Sequence, residues 1–171
     1  MLLSYNEKII NTALEQLCEL LIMIDTKLFD LDNYISKSLD PDSDGLFDRG
    51  EYFIGVGFVA IQQHLNESLI GININKKELY SLGPIHSSGY SSIWVINASA
   101  NWWKHESEWF KNNEEPKNAR KTIEIITAIS KQREYALSVV LASFSESNSL
   151  SFMQNIIPHI EIWNKEVSIK I

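Results

Sequence analysis

Apolar side chains recur at spacings of three and four through most of this chain, and that period is what most restricts the folds open to it. Residues 5 to 24 carry Ile9, Ile10, Leu14, Leu17, Cys18, Leu21 and Ile22 in this rhythm, the mark of an amphipathic helix. A second, shorter helix is expected over residues 25 to 39. Residues 52 to 65 are apolar almost all round, interrupted by Gly55, Gly57, Gln62 and Gln63. Such a helix belongs at the centre of a bundle, where its glycines let neighbours approach closely. A break follows over residues 71 to 89, containing Gly83 and Pro84, with a short helix expected at 76 to 82. Further helices are expected over 91 to 110, ended by Asn112, Asn113 and Pro116, then over 117 to 144 and 149 to 163. No strand alternation persists. The expectation is an all-α fold, a single domain over residues 1 to 171, built as a bundle of about five to six helices.

Composition agrees with that class. The 171 residues are 44% apolar and 22% charged, enough apolar mass for one core. One cysteine, Cys18, excludes an intramolecular disulfide, and its place in the apolar pattern reads as a buried structural thiol. Polar Ser4, Tyr5 and Asn6 follow the first three residues, which gives no signal peptide. No apolar run is long enough for a membrane span. A cytoplasmic protein without a membrane partner is expected.

The net charge of -7 is unevenly placed. Residues 1 to 51 hold eleven acids against four bases, and the remainder balances at eleven of each. Lys117, Arg120, Lys121, Lys131 and Arg133 stand against Glu124 alone in one stretch, a basic patch able to meet phosphate or an acidic partner, or a solvated helix face. A pI near 5.1 argues against broad nucleic-acid affinity, which rests on clustered Lys and Arg, and no DNA partner is expected.

Asp40 to Glu51, reading D-P-D-S-D-G-L-F-D-R-G-E, resembles the calcium loop of an EF-hand. Calcium takes six to eight hard oxygens. The loop offers carboxylates from Asp40, Asp42, Asp44, Asp48 and Glu51, with the Leu46 carbonyl at the seventh place. Gly45 falls where the backbone must turn left-handed. The incoming flank is less regular, with polar Ser36 and Asp32 where an EF-hand helix is apolar. No second loop of this kind exists to stiffen the first, so weak calcium binding is expected. The competing reading makes Asp48 a helix N-cap and Glu51 its capping-box partner.

A polar stripe marks the later helix. Asn97, Asn101, Lys104, His105 and Glu108 recur at offsets of four, seven, eight and eleven and so share one helical face. Ile93, Ile96, Ala100 and Trp103 mark the adjoining apolar stripe. Amides and an imidazole on a tryptophan-rich helix form either a satisfied network, a site, or a wet face with a Lys104–Glu108 pair. His105, with Glu108 one turn on, has the makings of a general acid or base. The remaining histidines, His64, His86 and His159, lack metal-ligand spacing.

The run Ala100-Asn101-Trp102-Trp103-Lys104-His105, on a late helix of an all-helical chain, resembles the HEPN superfamily. That resemblance implies a helical bundle, commonly a homodimer, of the kind found as metal-independent ribonucleases in bacterial defence and toxin systems. Asn101 and His105 stand at matching places of the signature, while Ala100 occupies the place of its arginine. The resemblance makes Asn101, Lys104 and His105 the candidate catalytic residues, with Arg120 and Lys121 on RNA, and the missing arginine shifts the expectation toward binding. Two alternatives stand beside this reading. One is a calcium-responsive module built on residues 40 to 51. The other is an immunity- or antitoxin-like inhibitor whose acidic N-terminal part covers a basic protein partner.

Overall fold

The computed structural model describes residues 2–5, 8–109, 119–147 and 149–171. A short antiparallel hairpin, β1 (Leu2–Tyr5) and β2 (Lys8–Asn11), pairs Leu3 with Ile10 and Ser4 with Ile9. Among the described residues six helices longer than one turn follow: α1 (Thr12–Ile35), α2 (Leu46–Ser68), α4 (Ser92–Trp109), α5 (Arg120–Ser130), α6 (Ala136–Ala142) and α8 (Ile157–Lys170). Two single turns, α3 (Lys76–Leu79) and α7 (Phe152–Asn155), sit between them. The fold is all-α.

The second helix occupies the middle, packed against α1, α4 and α6. Ile54, Phe58, Ile61 and Leu65 recur at intervals of three and four along it and are fully buried. Each such side chain stabilises the fold by roughly 1.5–3 kcal/mol. Its two glycines do what a crowded centre requires. The Trp103 indole of α4 fills the space that a Cβ on Gly55 would need, and the Phe152 ring of α7 does the same at Gly57. One cluster of buried apolar side chains draws on all eight helices.

Several expected boundaries move, each for a local reason. The helices expected over 5 to 24 and 25 to 39 are one continuous helix, α1, and residues 8 to 11 belong to the hairpin. Asp25 looks like a helix start but lies mid-helix, because its carboxylate serves a different helix. It accepts from the backbone N–H groups of Phe152 (2.8 Å) and Met153 (3.1 Å) and from the Ser151 hydroxyl (2.7 Å), capping α7. The central helix starts at Leu46, six residues before the expected Tyr52, since buried Leu46 follows the left-handed turn at Gly45 (φ 66°). The helix expected over 76 to 82 is only the turn α3, begun by Asn75, whose side chain accepts from the Lys77 N–H.

The helix expected over 117 to 144 is two helices. Between them Lys131 (φ 57°) and Tyr135 (φ 52°) adopt left-handed backbone, which side chains rarely tolerate. Polar groups satisfy the broken segment: the Ser130 hydroxyl donates to Gln132 O at 2.6 Å, and Gln132 Nε2 donates to Glu134 O at 3.0 Å. The last helix expected over 149 to 163 is likewise divided, into α7 and α8. Pro158, which has no N–H to give, sits in the first turn of α8. Asn155 ties this corner together, donating to the carbonyls of Leu141 (3.0 Å) and Ser149 (2.6 Å).

Candidate functional site

The polar stripe of α4 meets one side chain of α2. Gln62, 7% exposed, donates through Nε2 to Asn97 Oδ1 (2.9 Å) and Asn101 Oδ1 (3.0 Å), and its Oε1 accepts from Lys104 Nζ (2.7 Å). One amide thus gathers three side chains from successive turns of the facing helix. A buried amide without such partners destabilises a fold by about 1–3 kcal/mol, so the contacts are obligatory wherever Gln62 is buried.

One turn further along α2, Asn66 repeats the arrangement. Its Oδ1 accepts from Lys76 Nζ at 2.7 Å and from the Tyr80 hydroxyl at 3.1 Å. Lys76 Nζ lies 4.8 Å from the Tyr80 ring centre. Burial pushes the Tyr80 phenol up to about 12. Partial burial lowers the Lys104 ammonium below its ordinary range, and the nearby Lys76 charge pushes it the same way. Two cations therefore reach α2 one turn apart, each bonded to a neutral amide oxygen and neither bonded there by a carboxylate.

The structure divides the candidate catalytic set. Asn101 and Lys104 turn to Gln62, whereas His105 turns to the end of α4, with Nδ1 3.4 Å from Glu108 Oε2 and its ring stacked 5.8 Å from Trp109. The His105 and Glu108 side chains are exposed by 45% and 68%. Lys104 pairs with Gln62 and not with Glu108, which corrects the i,i+4 pairing that spacing alone allows.

The acidic segment carries its carboxylates in several directions. Asp40 accepts from the Ser43 N–H (3.1 Å) and hydroxyl (2.7 Å), which hold its carboxyl below the ordinary range. Asp44 accepts from the Ser38 hydroxyl at 2.6 Å, and Asp42 from the Tyr135 hydroxyl at 2.7 Å. That last bond pushes the Tyr135 phenol up to about 12. Leu46 opens α2, and Asp48 lies in its first turn, where a carboxylate suits the positive end of the helix dipole. Gly45, and not Asp48, is the N-cap, so the capping-box reading is corrected: a left-handed turn starts the helix without a side-chain bond.

Glu51 is taken up by a different helix. Its carboxylate accepts from the N–H groups of Leu137 (2.7 Å) and Ser138 (3.0 Å) and from the Ser138 hydroxyl (2.7 Å), at the N-terminus of α6. Burial nevertheless holds this carboxyl above its usual range, with Glu106 acting in the same direction. As arranged, Asp40, Asp42, Asp44, Leu46, Asp48 and Glu51 do not converge on a common point. Among the described residues no three of His, Cys, Asp and Glu are grouped to hold a metal ion. A calcium sphere of EF-hand form needs α2 to unwind its first turn and Glu51 to leave α6.

Of the basic patch, Lys121 lies over the Trp94 ring at 3.6 Å and Glu124 accepts from the Tyr90 hydroxyl at 2.8 Å. Lys117 lies outside the described residues. Two of the other histidines are tied into the fold. His86 bonds Ser88 and Ser143, His159 bonds Ser92, and Phe144 lies against both imidazoles. Gln62, Asn66 and Lys76 are the functional candidates that sequence reading passed over. Gln62 carried a usable signal, as an amide four residues after Phe58 and three before Leu65 in an apolar helix.

No helix among the described residues is long and apolar enough to cross a membrane. No family profile, curated protein or solved structure matches this chain.

Proposed function

We propose that this chain is a HEPN-like helical module of a bacterial defence or toxin-type system that binds RNA through its phosphate backbone without cleaving it. One observation carries the reading: Lys76 and Lys104 reach α2 one turn apart, each bonded there to an amide oxygen and neither to a carboxylate. A phosphate between two such ammonium groups replaces repulsion with charge-assisted hydrogen bonds. Gln62 fixes Lys104 in place, so little side-chain freedom is lost on binding. Both lysines belong to the part of the chain where acids and bases balance, outside the acidic residues 1 to 51.

Two features favour binding over catalysis. Ala100 stands where the family's arginine would hold the scissile phosphate. His105 engages Glu108 and Trp109, apart from the amide network that holds Asn101.

The test is fluorescence anisotropy of a labelled single-stranded RNA against the parent, Lys76→Ala and Lys104→Ala over a range of salt. Each lysine removed is expected to weaken binding and to lower the salt slope by about 0.7, the increment for one contact to single-stranded phosphate. The same RNA is expected to stay intact with the parent and with His105→Ala. Equal affinity for all three proteins, or cleavage that His105→Ala abolishes, overturns the reading.

A further inference from the structure

Between α1, α2 and α6 lies a groove of about 620 Å3. Leu28, Leu31 and Ile35 form its floor. Their offsets of three and seven are those of the stripe a helix normally buries against another helix. Leu46, Val139 and Leu150 complete the apolar lining, and Leu150 is 40% exposed at the rim. One wall is held in position by Tyr135, whose ring packs 5.5 Å from that of Phe47 while its hydroxyl bonds Asp42. The charged side chains of the lining are Asp32, Asp42 and Glu134, with no base among them.

We propose that this groove docks an amphipathic helix of a partner protein, one whose apolar stripe is flanked by Lys and Arg. From Leu28 to Ile35 the floor runs about 10 Å, two helical turns, the span read by anchors at i, i+3, i+4 and i+7 of a docked helix. The acidic rim complements basic flanks, and the acidic excess of residues 1 to 51 attracts a basic partner before contact. A second copy of this chain fits poorly. A two-fold contact sets a patch against itself, which would bring two acidic rims of Asp32, Asp42 and Glu134 into one interface with no base in either lining. RNA is repelled by the same carboxylates. The lysine face at Lys76 and Lys104 is not part of the groove lining, so this proposal stands or falls separately from RNA binding.

The probe is a fluorescein-labelled helical peptide of about four turns, roughly fourteen residues, with leucines along one stripe and lysines elsewhere. A twin carries glutamate in place of lysine. Binding is read by anisotropy against the parent, Leu150→Arg and Asp32→Lys. Both positions are exposed, and thermal melting checks that each variant keeps the parent midpoint. The expected result is saturable one-to-one binding of the lysine peptide, weakened about tenfold or more by either substitution, and none by the glutamate twin. Equal binding by both variants, or by both peptides, overturns the proposal. So does a sedimenting dimer of the parent that Leu150→Arg dissociates, because the groove would then belong to a second copy.

Discussion

Trp103 occupies the space beside Gly55 that any larger residue would claim, and this contact sets how closely α2 and α4 approach. Gln62 reaches Asn97 and Asn101 across the same interface, two turns further along α2. Gly55→Ala is therefore expected to lower stability by about 1–3 kcal/mol through overpacking, and Gly57→Ala similarly through Phe152. Gly50 supplies the control: it lies in the same helix with open space around it, and Gly50→Ala is expected to be neutral or to stabilise by about 0.5–1 kcal/mol. Urea unfolding midpoints of the three variants check the contrast. Equal effects at Gly50 and Gly55 would remove steric fit as the cause.

Glu51→Ala should cost about 1–2 kcal/mol, since it strips α6 of a remote cap accepting three hydrogen bonds. Amide exchange gives a local reading of the same event, with the Leu137 and Ser138 N–H groups expected to lose protection before the rest of the core. Unchanged exchange at both would show that another group holds the start of α6.

Acid is expected to weaken the fold through its histidines. Burial lowers His64, His86 and His159 below the unfolded value of 6.5. Below that pH the unfolded chain binds more protons than the folded one. Their contribution is complete above pH 6.5 and is lost as the pH falls through that value toward the folded ones. Denaturation midpoints measured from pH 8 to pH 5, ranges chosen to span about 6.5, should fall on the acid side. His86→Asn and His159→Asn should each flatten the curve, and a pH-independent midpoint in the parent would contradict the assignment.

Calcium uptake is expected to be weak. A calorimetric titration of chelator-treated protein should show no heat at micromolar calcium and at most millimolar-range binding, about 10⁻⁴–10⁻³ M, because Glu51 would have to exchange α6 for the ion. Tight one-to-one binding lost in Asp40→Ala and accompanied by exposure of the Leu137 N–H would show that the exchange does happen.

The helical class and the central place of α2 were legible because they depend on spacing within one segment. Gly55 and Gly57, read as points of close approach, meet Trp103 and Phe152. What spacing cannot say is which distant partner an amide or carboxylate chooses. Asn97, Asn101 and Lys104 could be placed on one face, but Gln62 as their common partner depends on how α2 docks. Asp25 stood at the expected start of a second helix, and its true use lies 127 positions away at Phe152. The break at 131–135 was hidden for the same reason. No glycine or proline marks it, and the new helix beyond it is capped by Glu51.

Those distant carboxylates also order events during synthesis. A helix of seven residues such as α6, or of four such as α7, is far too short to persist alone in water. Each awaits an acceptor already made: Glu51 lies 86 positions before Leu137, and Asp25 lies 127 before Phe152. A nascent chain can build α1 and α2 early, but the two carboxylates then stay idle until Leu137 and Phe152 have emerged. The C-terminal third consequently acquires its shape by templating on the first, and a fragment lacking residues 12 to 51 is expected to leave α6 and α7 as coil.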